Sequence, residues 1–145
     1  MAQWTLWGAH QLSAIMFTRS AVPPESWWLA LVVDSEPEPF VAGSDLDEPL
    51  DEVYTRIEIP NNDQFWDSIS DAIWQNSQKI TFPTATADWG EISYWALCDA
   101  AEAGMVYLYG ELAQVQSVVA GDTPVIEPNI LQMEFTGVYE ELAHE

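Results

Sequence analysis

Positive charge is what this chain lacks most. Arg19, Arg56 and Lys79 are the only strong cations among 145 residues, against 24 carboxylates, and the formal net charge is −21. Binding to a phosphate backbone needs clustered Lys and Arg, so the sequence excludes direct nucleic-acid binding, and it disfavours an anionic membrane surface for the same reason. Cysteine is nearly absent too. Cys98 stands alone, which rules out an intramolecular disulfide and a zinc cluster. It falls in an apolar stretch, where a lone thiol is expected as a small buried hydrophobe rather than a nucleophile. Long hydrophobic runs are missing as well: the longest, residues 27–33, falls far short of the roughly 20 residues that span a bilayer. The first residues do not pair a basic region with an apolar one, so no secretory signal is expected and synthesis is expected in the cytoplasm.

Catalytic constellations are equally scarce. The two histidines, His10 and His144, lie near opposite ends of the chain, so a Ser–His or Cys–His pair would require the termini to meet the core strands. No nucleophile elbow, Gly-rich phosphate loop or His-Glu-x-x-His pattern occurs. Carboxylates abound, and for that reason no glycosidase-type pair stands out. The best candidate for metal is the run from Gly43 to Glu52, where Asp45, Asp47, Asp51 and Glu52 offer oxygen ligands to calcium. An EF-hand loop needs glycine at its sixth position, and Leu50 stands there when counting from Asp45. A solvated acidic loop is the simpler reading. The expectation is therefore no catalytic residue, no cofactor and no metal ligand.

What is present is a good core. Hydrophobic residues make up 48% of the chain and eight tryptophans supply bulk, enough for one domain spanning 1–145 without staples. Leu12, Ile15 and Met16 share one face of an expected helix within residues 4–20, the heart of an N-terminal arm over 1–22 that Pro23-Pro24 ends. Residues 27–33 read as a strand buried on both faces. Residues 34–52, with eight carboxylates and Pro37, Pro39 and Pro49, read as an acidic surface loop. Residues 53–59 alternate as a strand, Val53, Thr55, Ile57 and Ile59 against Tyr54, Arg56 and Glu58. Residues 65–74 fit a helical stripe or two short extended pieces, and irregular structure is expected there.

Further strands are expected at 78–82, 91–98, 105–109, 111–119 and 130–135. Gly104 supplies a positive φ at the 98–105 hairpin, and an acidic tail over 137–145 closes the chain. The sum is an all-β domain, an antiparallel β-sandwich or jelly-roll-like fold with a short N-terminal helix. Trp89, Trp95, Tyr107 and Tyr109 form an aromatic set suited to core or cross-strand packing, or to display on a sandwich face for a sugar ring or a partner subunit.

Several ordered motifs carry a resemblance. They are Leu29-Ala-Leu-Val-Val33 with Pro37, Tyr54-Thr-Arg56-Ile-Glu-Ile, Trp66, and Asn76 through Ile80 to Phe82-Pro83. Thr86-Ala-Asp-Trp-Gly90 follows with Asp99 and Gly104, then Leu108-Tyr-Gly-Glu-Leu112, the Val119-Ala-Gly-Asp-Thr123 turn and a closing alternating strand. This set resembles a family of tailed-phage virion proteins, tail-fibre-like or minor structural. The acidic loop 34–52 and Pro128-Asn129, in place of a glycine before the last strand, depart from the family pattern. The resemblance implies no catalytic residues and a non-enzymatic structural role in a bacteriophage particle. It implies a minor tail or tail-fibre-associated protein or a capsid decoration protein, made in the host cytoplasm and located in the virion. The partners implied are other virion proteins, capsid or tail subunits, with the chain as a homo-oligomer or bound to a lattice. Two alternatives stand beside it. The charge fits an acidic DNA mimic that inhibits a nucleic-acid enzyme, and the tryptophans and carboxylates fit a carbohydrate-binding module or small glycan hydrolase.

Overall fold

The computed structural model describes residues 2–70 and 73–134. Among them, one helix, α1 (Leu6–Phe17), accompanies ten strands: β1 (Gln3–Trp4), β2 (Ser26–Val33), β3 (Ile57–Pro60), β4 (Trp66–Ser70), β5 (Ile73–Asn76), β6 (Ile80–Thr81), β7 (Gly90–Cys98), β8 (Val106–Val118), β9 (Val125–Ile126) and β10 (Gln132–Glu134). The main sheet has the order β1-β8-β7-β2-β3, and two small sheets, β10-β5-β4 and β6-β9, complete the set. Every pairing is antiparallel. The fold is all-β with a short N-terminal helix, as the strand spacing indicates.

Period-two alternation on β2 and β7 explains the layering. Leu29 and Leu31, with Trp95 and Leu97, face a large core shared with Phe65, Trp66, Ile80, Phe82, Ile126 and Leu131 from the small sheets and their flanks. Ala30, Val32, Ala96 and Cys98 point the other way, into a second cluster with Val106 and Tyr109. These side chains are mostly small, so the 34–52 segment can lie close over that face and seat Val41 and Leu46 on it. The Gly43 N–H bonds the Gly104 carbonyl at 2.9 Å, an approach so close that a Cβ on Gly43 would overlap the Ala103 carbonyl. The acidic segment is thus the cover of an apolar sheet face, with its carboxylates at the rim, rather than a loop merely resting in solvent.

Several expectations need correction. Residues 53–56 do not extend β3. The ladder stops at Leu29↔Ile57, because the Leu31 N–H is taken by the Tyr54 hydroxyl (3.1 Å) and the Val33 N–H by the Asp47 carbonyl (2.7 Å). Side chain and loop thereby close an exposed sheet edge. Residues 65–74, expected irregular, include β4 and the start of β5, which pair as a hairpin anchored by buried Phe65 and Trp66. The expected strands at 105–109 and 111–119 fuse into β8. One extra residue, Tyr107, bulges opposite Leu97/Cys98, and Gly110 lies so close to the Trp95 ring that a Cβ would overlap it. The short strand β9, which pairs with β6, was not anticipated. Phe135 of the last expected strand and the whole tail 137–145 lie outside the described residues.

Helix α1 is shorter than the 4–20 window. Thr5 caps it, accepting from the Gly8 N–H at 3.0 Å while its hydroxyl donates to the β8 backbone at Val106. Gly8 fits against Tyr107, where a Cβ would clash with the carbonyl. The helix therefore docks through its small residue. Its larger side chains, Leu6, Leu12, Met16 and Phe17, face water.

Candidate interaction surfaces

The acidic segment owes its course to two carboxylates, Glu48, which holds the Arg56 side chain, and Asp51, which bonds distant backbone. Glu48 and Arg56 pair at 2.9 Å. Arg56 is only 4% exposed, and all five of its N–H donors are used. Nε and one Nη2 hydrogen go to the two oxygens of Glu48 (2.9 Å each), the other Nη2 hydrogen to the Gly43 carbonyl (3.0 Å), and Nη1 to the carbonyls of Ala100 and Ala103 (2.9 Å each). The Tyr54 hydroxyl adds a 2.7 Å bond to Glu48. Burial pulls the guanidinium's pKa down, but the bond to Glu48 and its charge more than offset this, and the net shift is upward. Tyr54 is raised, first by burial and then by the Glu48 charge.

Asp51, one of the calcium candidates, is committed elsewhere. Its oxygens accept from the Thr86 N–H (2.8 Å), the Thr86 hydroxyl (2.6 Å), the Ala87 N–H (3.1 Å), the Trp89 indole (2.7 Å) and the Val53 N–H (3.3 Å). The Thr86 and Trp89 side-chain bonds hold its carboxyl well below the usual carboxylate range, against an opposing pull from desolvation. Asp45, Asp47 and Glu52 are exposed. Among the described residues no three His, Cys, Asp or Glu side chains are placed to hold a metal ion. Sequence reasoning missed what Glu48 and Asp51 do, because Asp51 meets partners 35–38 residues away and the Arg56 that holds Glu48 is itself fixed by carbonyls 44 and 47 residues further on.

The aromatic set is core. Trp89, Trp95, Tyr107 and Tyr109 are all buried, Trp89 meets Tyr54 edge-on at 5.4 Å, and Tyr107 meets Trp27 edge-on at 5.0 Å. None is displayed on an open sheet face. Cys98 is fully buried, and burial pushes its thiol up to about 12, which leaves it unreactive at neutral pH. His10 is exposed on α1 whereas Cys98 is buried, and His144 lies outside the described residues.

Two surfaces stand out among the described residues. One is the outer side of α1, where Leu6 is 54%, Met16 68% and Phe17 86% exposed, continued by Val22 in the following segment. The other is a shallow groove of about 380 Å³ walled by Trp4, Trp27, Trp66 and Trp74, with Asn61, Asn62 and Asp63 along its edge. Asp63 is the one carboxylate among its lining residues, so the groove holds no carboxylate pair of the kind a glycosidase uses.

A family model described as Podophage GP4 fiber I protein gp80 matches residues 4–134. The chain belongs to this family. It is a phage fibre-type structural protein, and so a component of the virion. No curated protein matches it.

In this gp80-family chain, the motifs that carried the resemblance are structural locks. Tyr54 and Arg56 both hold Glu48. Asn76 is fully buried; its side chain donates to the Gln78 and Glu127 carbonyls and accepts from the Leu131 N–H (2.9 Å), tying β5 to the approach to β10. The Thr86–Gly90 motif and the Val119–Thr123 turn are bonded to each other. Ala85 N–H reaches the Asp122 carbonyl, Gly121 N–H the Ala85 carbonyl, and Ala120 N–H the Asp88 carboxylate. Asp99 accepts from the Met105 N–H at 2.8 Å around Gly104, whose φ is +65°.

Proposed function

We propose that this gp80-family chain folds as one unit over 1–145 and is a non-enzymatic structural component that joins other virion proteins through its N-terminal arm. The supporting observation is α1, whose larger apolar side chains face water on a protein that is otherwise heavily acidic. A helix that wastes this much apolar surface in a free subunit is suited to burial in an assembly. The motif residues serve the fold, which leaves the arm and the Trp groove as the open surfaces with chemistry to offer.

Immunogold labelling of intact particles with antibody against this chain tests the role. Label on the tail makes it a fibre or tail component, label on the shell a decoration protein, and absence of label refutes the reading. Particles carrying Phe17→Glu are expected to incorporate the chain poorly. Incorporation equal to wild type would rule out the arm as the joining element.

A second reading is favoured by the groove. The half-buried Trp4 and Trp27 and the exposed Trp74, beside amide and carboxylate groups, suit stacking on the apolar face of a sugar. A glycan array on wild type and Trp74→Ala tests this, with binding lost in the variant as the expected result.

A further inference from the structure

We infer that the outer face of α1 is a self-association surface, seated on α1 of a second copy of this chain. The inference rests on the reading of the arm as an assembly element and names its occupant.

Charge distribution carries the argument. All 24 carboxylates lie after residue 24, and the first 24 residues contain none. That segment has a net charge of +1 from Arg19, while the rest carries 24 carboxylates against Arg56 and Lys79, a net −22. At the average density, about four acids would fall in a stretch of that length.

Their absence runs against the helix's own interest. An acidic residue in the first turn would stabilise the positive end of the helix dipole, yet α1 has none there and relies on Thr5 for its cap. A basic partner would gain from carboxylates on this face, so contact with one gives no reason to clear them. A partner as acidic as this chain is the case in which carboxylates at the contact would be costly. A second copy meets that description.

The area fits the same conclusion. At their fractional exposures, Leu6, Leu12, Met16, Phe17 and Val22 leave on the order of 600 Å² of surface in water, taking ~150–250 Å² per large side chain. A standard interface buries about 800 Å² per partner, whereas the largest patch on a monomer is usually about 300–600 Å². A symmetric contact places the same acid-free patch on both sides and keeps the net −22 portions apart. Arg19, exposed at the end of the helix, forms no ion pair among the described residues and is free to meet a carboxylate of the other copy.

Sedimentation of the full chain across concentration, in about 0.15 M and about 1 M salt, tests the inference. Wild type is expected to self-associate, and more tightly at high salt, because salt screens the repulsion between acidic bodies and leaves the apolar contact intact. Met16→Glu and Phe17→Glu, both at exposed positions, should weaken association more than tenfold with unchanged near-ultraviolet circular dichroism. Val115→Glu, exposed on β8 away from the arm, should associate like wild type. A monomeric wild type, association that salt dissolves, or a Val115→Glu effect equal to that of Met16→Glu would each overturn the self-contact. Particle incorporation of Phe17→Glu is read separately, so a monomer that still needs the arm to enter particles would overturn this inference and leave the proposed function standing.

Discussion

Replacing Arg56 with Met should cost this protein more stability than almost any other single change. Methionine keeps much of the length and apolar stem of the side chain but removes five donors at once. The Glu48 carboxylate then loses its counter-charge while keeping only the Tyr54 bond, and the carbonyls of Gly43, Ala100 and Ala103 each lose a partner beneath the acidic cover. Breaking a buried ion pair from one side costs about 3–5 kcal/mol, and each buried acceptor left unpaired adds about 1–3 kcal/mol unless water reaches it. Water will reach some of them, since Glu48 is 20% exposed. The expected loss is therefore about 4 kcal/mol, a large share of the roughly 5–15 kcal/mol that holds a domain folded. Urea unfolding followed by tryptophan fluorescence reads it directly, and the melting temperature should fall by roughly 8–16 °C at about 2–4 °C per kcal/mol for a chain near this size. The double variant Arg56→Met, Glu48→Met should recover part of the loss, because no charge is then stranded. A single-variant loss below about 1 kcal/mol, or a double variant less stable than Arg56→Met alone, would refute the account of the lock.

Three further outcomes follow from the same contacts. Asp51 has a depressed folded pKa, so its contribution is present above the unfolded value of about 3.9 and is lost as the pH falls below it; Asp51→Asn should flatten the acid limb of a stability–pH curve, and an unchanged limb would count against the role. Cys98 shifts the other way, from 9.0 to about 12, so its contribution is complete below pH 9 and fades as the pH rises towards 12, by up to about 4 kcal/mol; Cys98→Ala should reduce the alkaline slope measured by urea midpoints. Among glycines, Gly43→Ala should cost several-fold more than Gly121→Ala. A Cβ at 43 overlaps backbone, whereas at 121 it meets open space and only the φ of +97° is strained, worth about 1 kcal/mol; equal thermal shifts would contradict the close approach of loop and sheet.

What the chain's own pattern determined was local. The unbroken apolar run at 27–33 and the two apolar faces of 91–98 marked two strands buried on both faces, and Gly104 marked the hairpin between β7 and β8, because these signals depend on neighbours a few residues apart. The ordered motifs also determined the family, since matching needs only their sequence. Tertiary structure decided the rest. Asp51 and Glu48 look like any other surface carboxylates until folding brings Thr86, Trp89 and Arg56 to them, and no local signal separates them from Asp45 or Asp47. Residues 53–56 alternate as a strand should, but the Tyr54 hydroxyl claims the Leu31 N–H that a longer β3 would need. Residues 65–74 look irregular alone and pair as a hairpin because Phe65 and Trp66 are drawn into the core. The stripe on α1 was legible as apolar, yet only the close fit of Gly8 against Tyr107 turned Leu12 and Met16 outward. Periodicity tells which residues share a face. Which face is buried depends on the surface it meets.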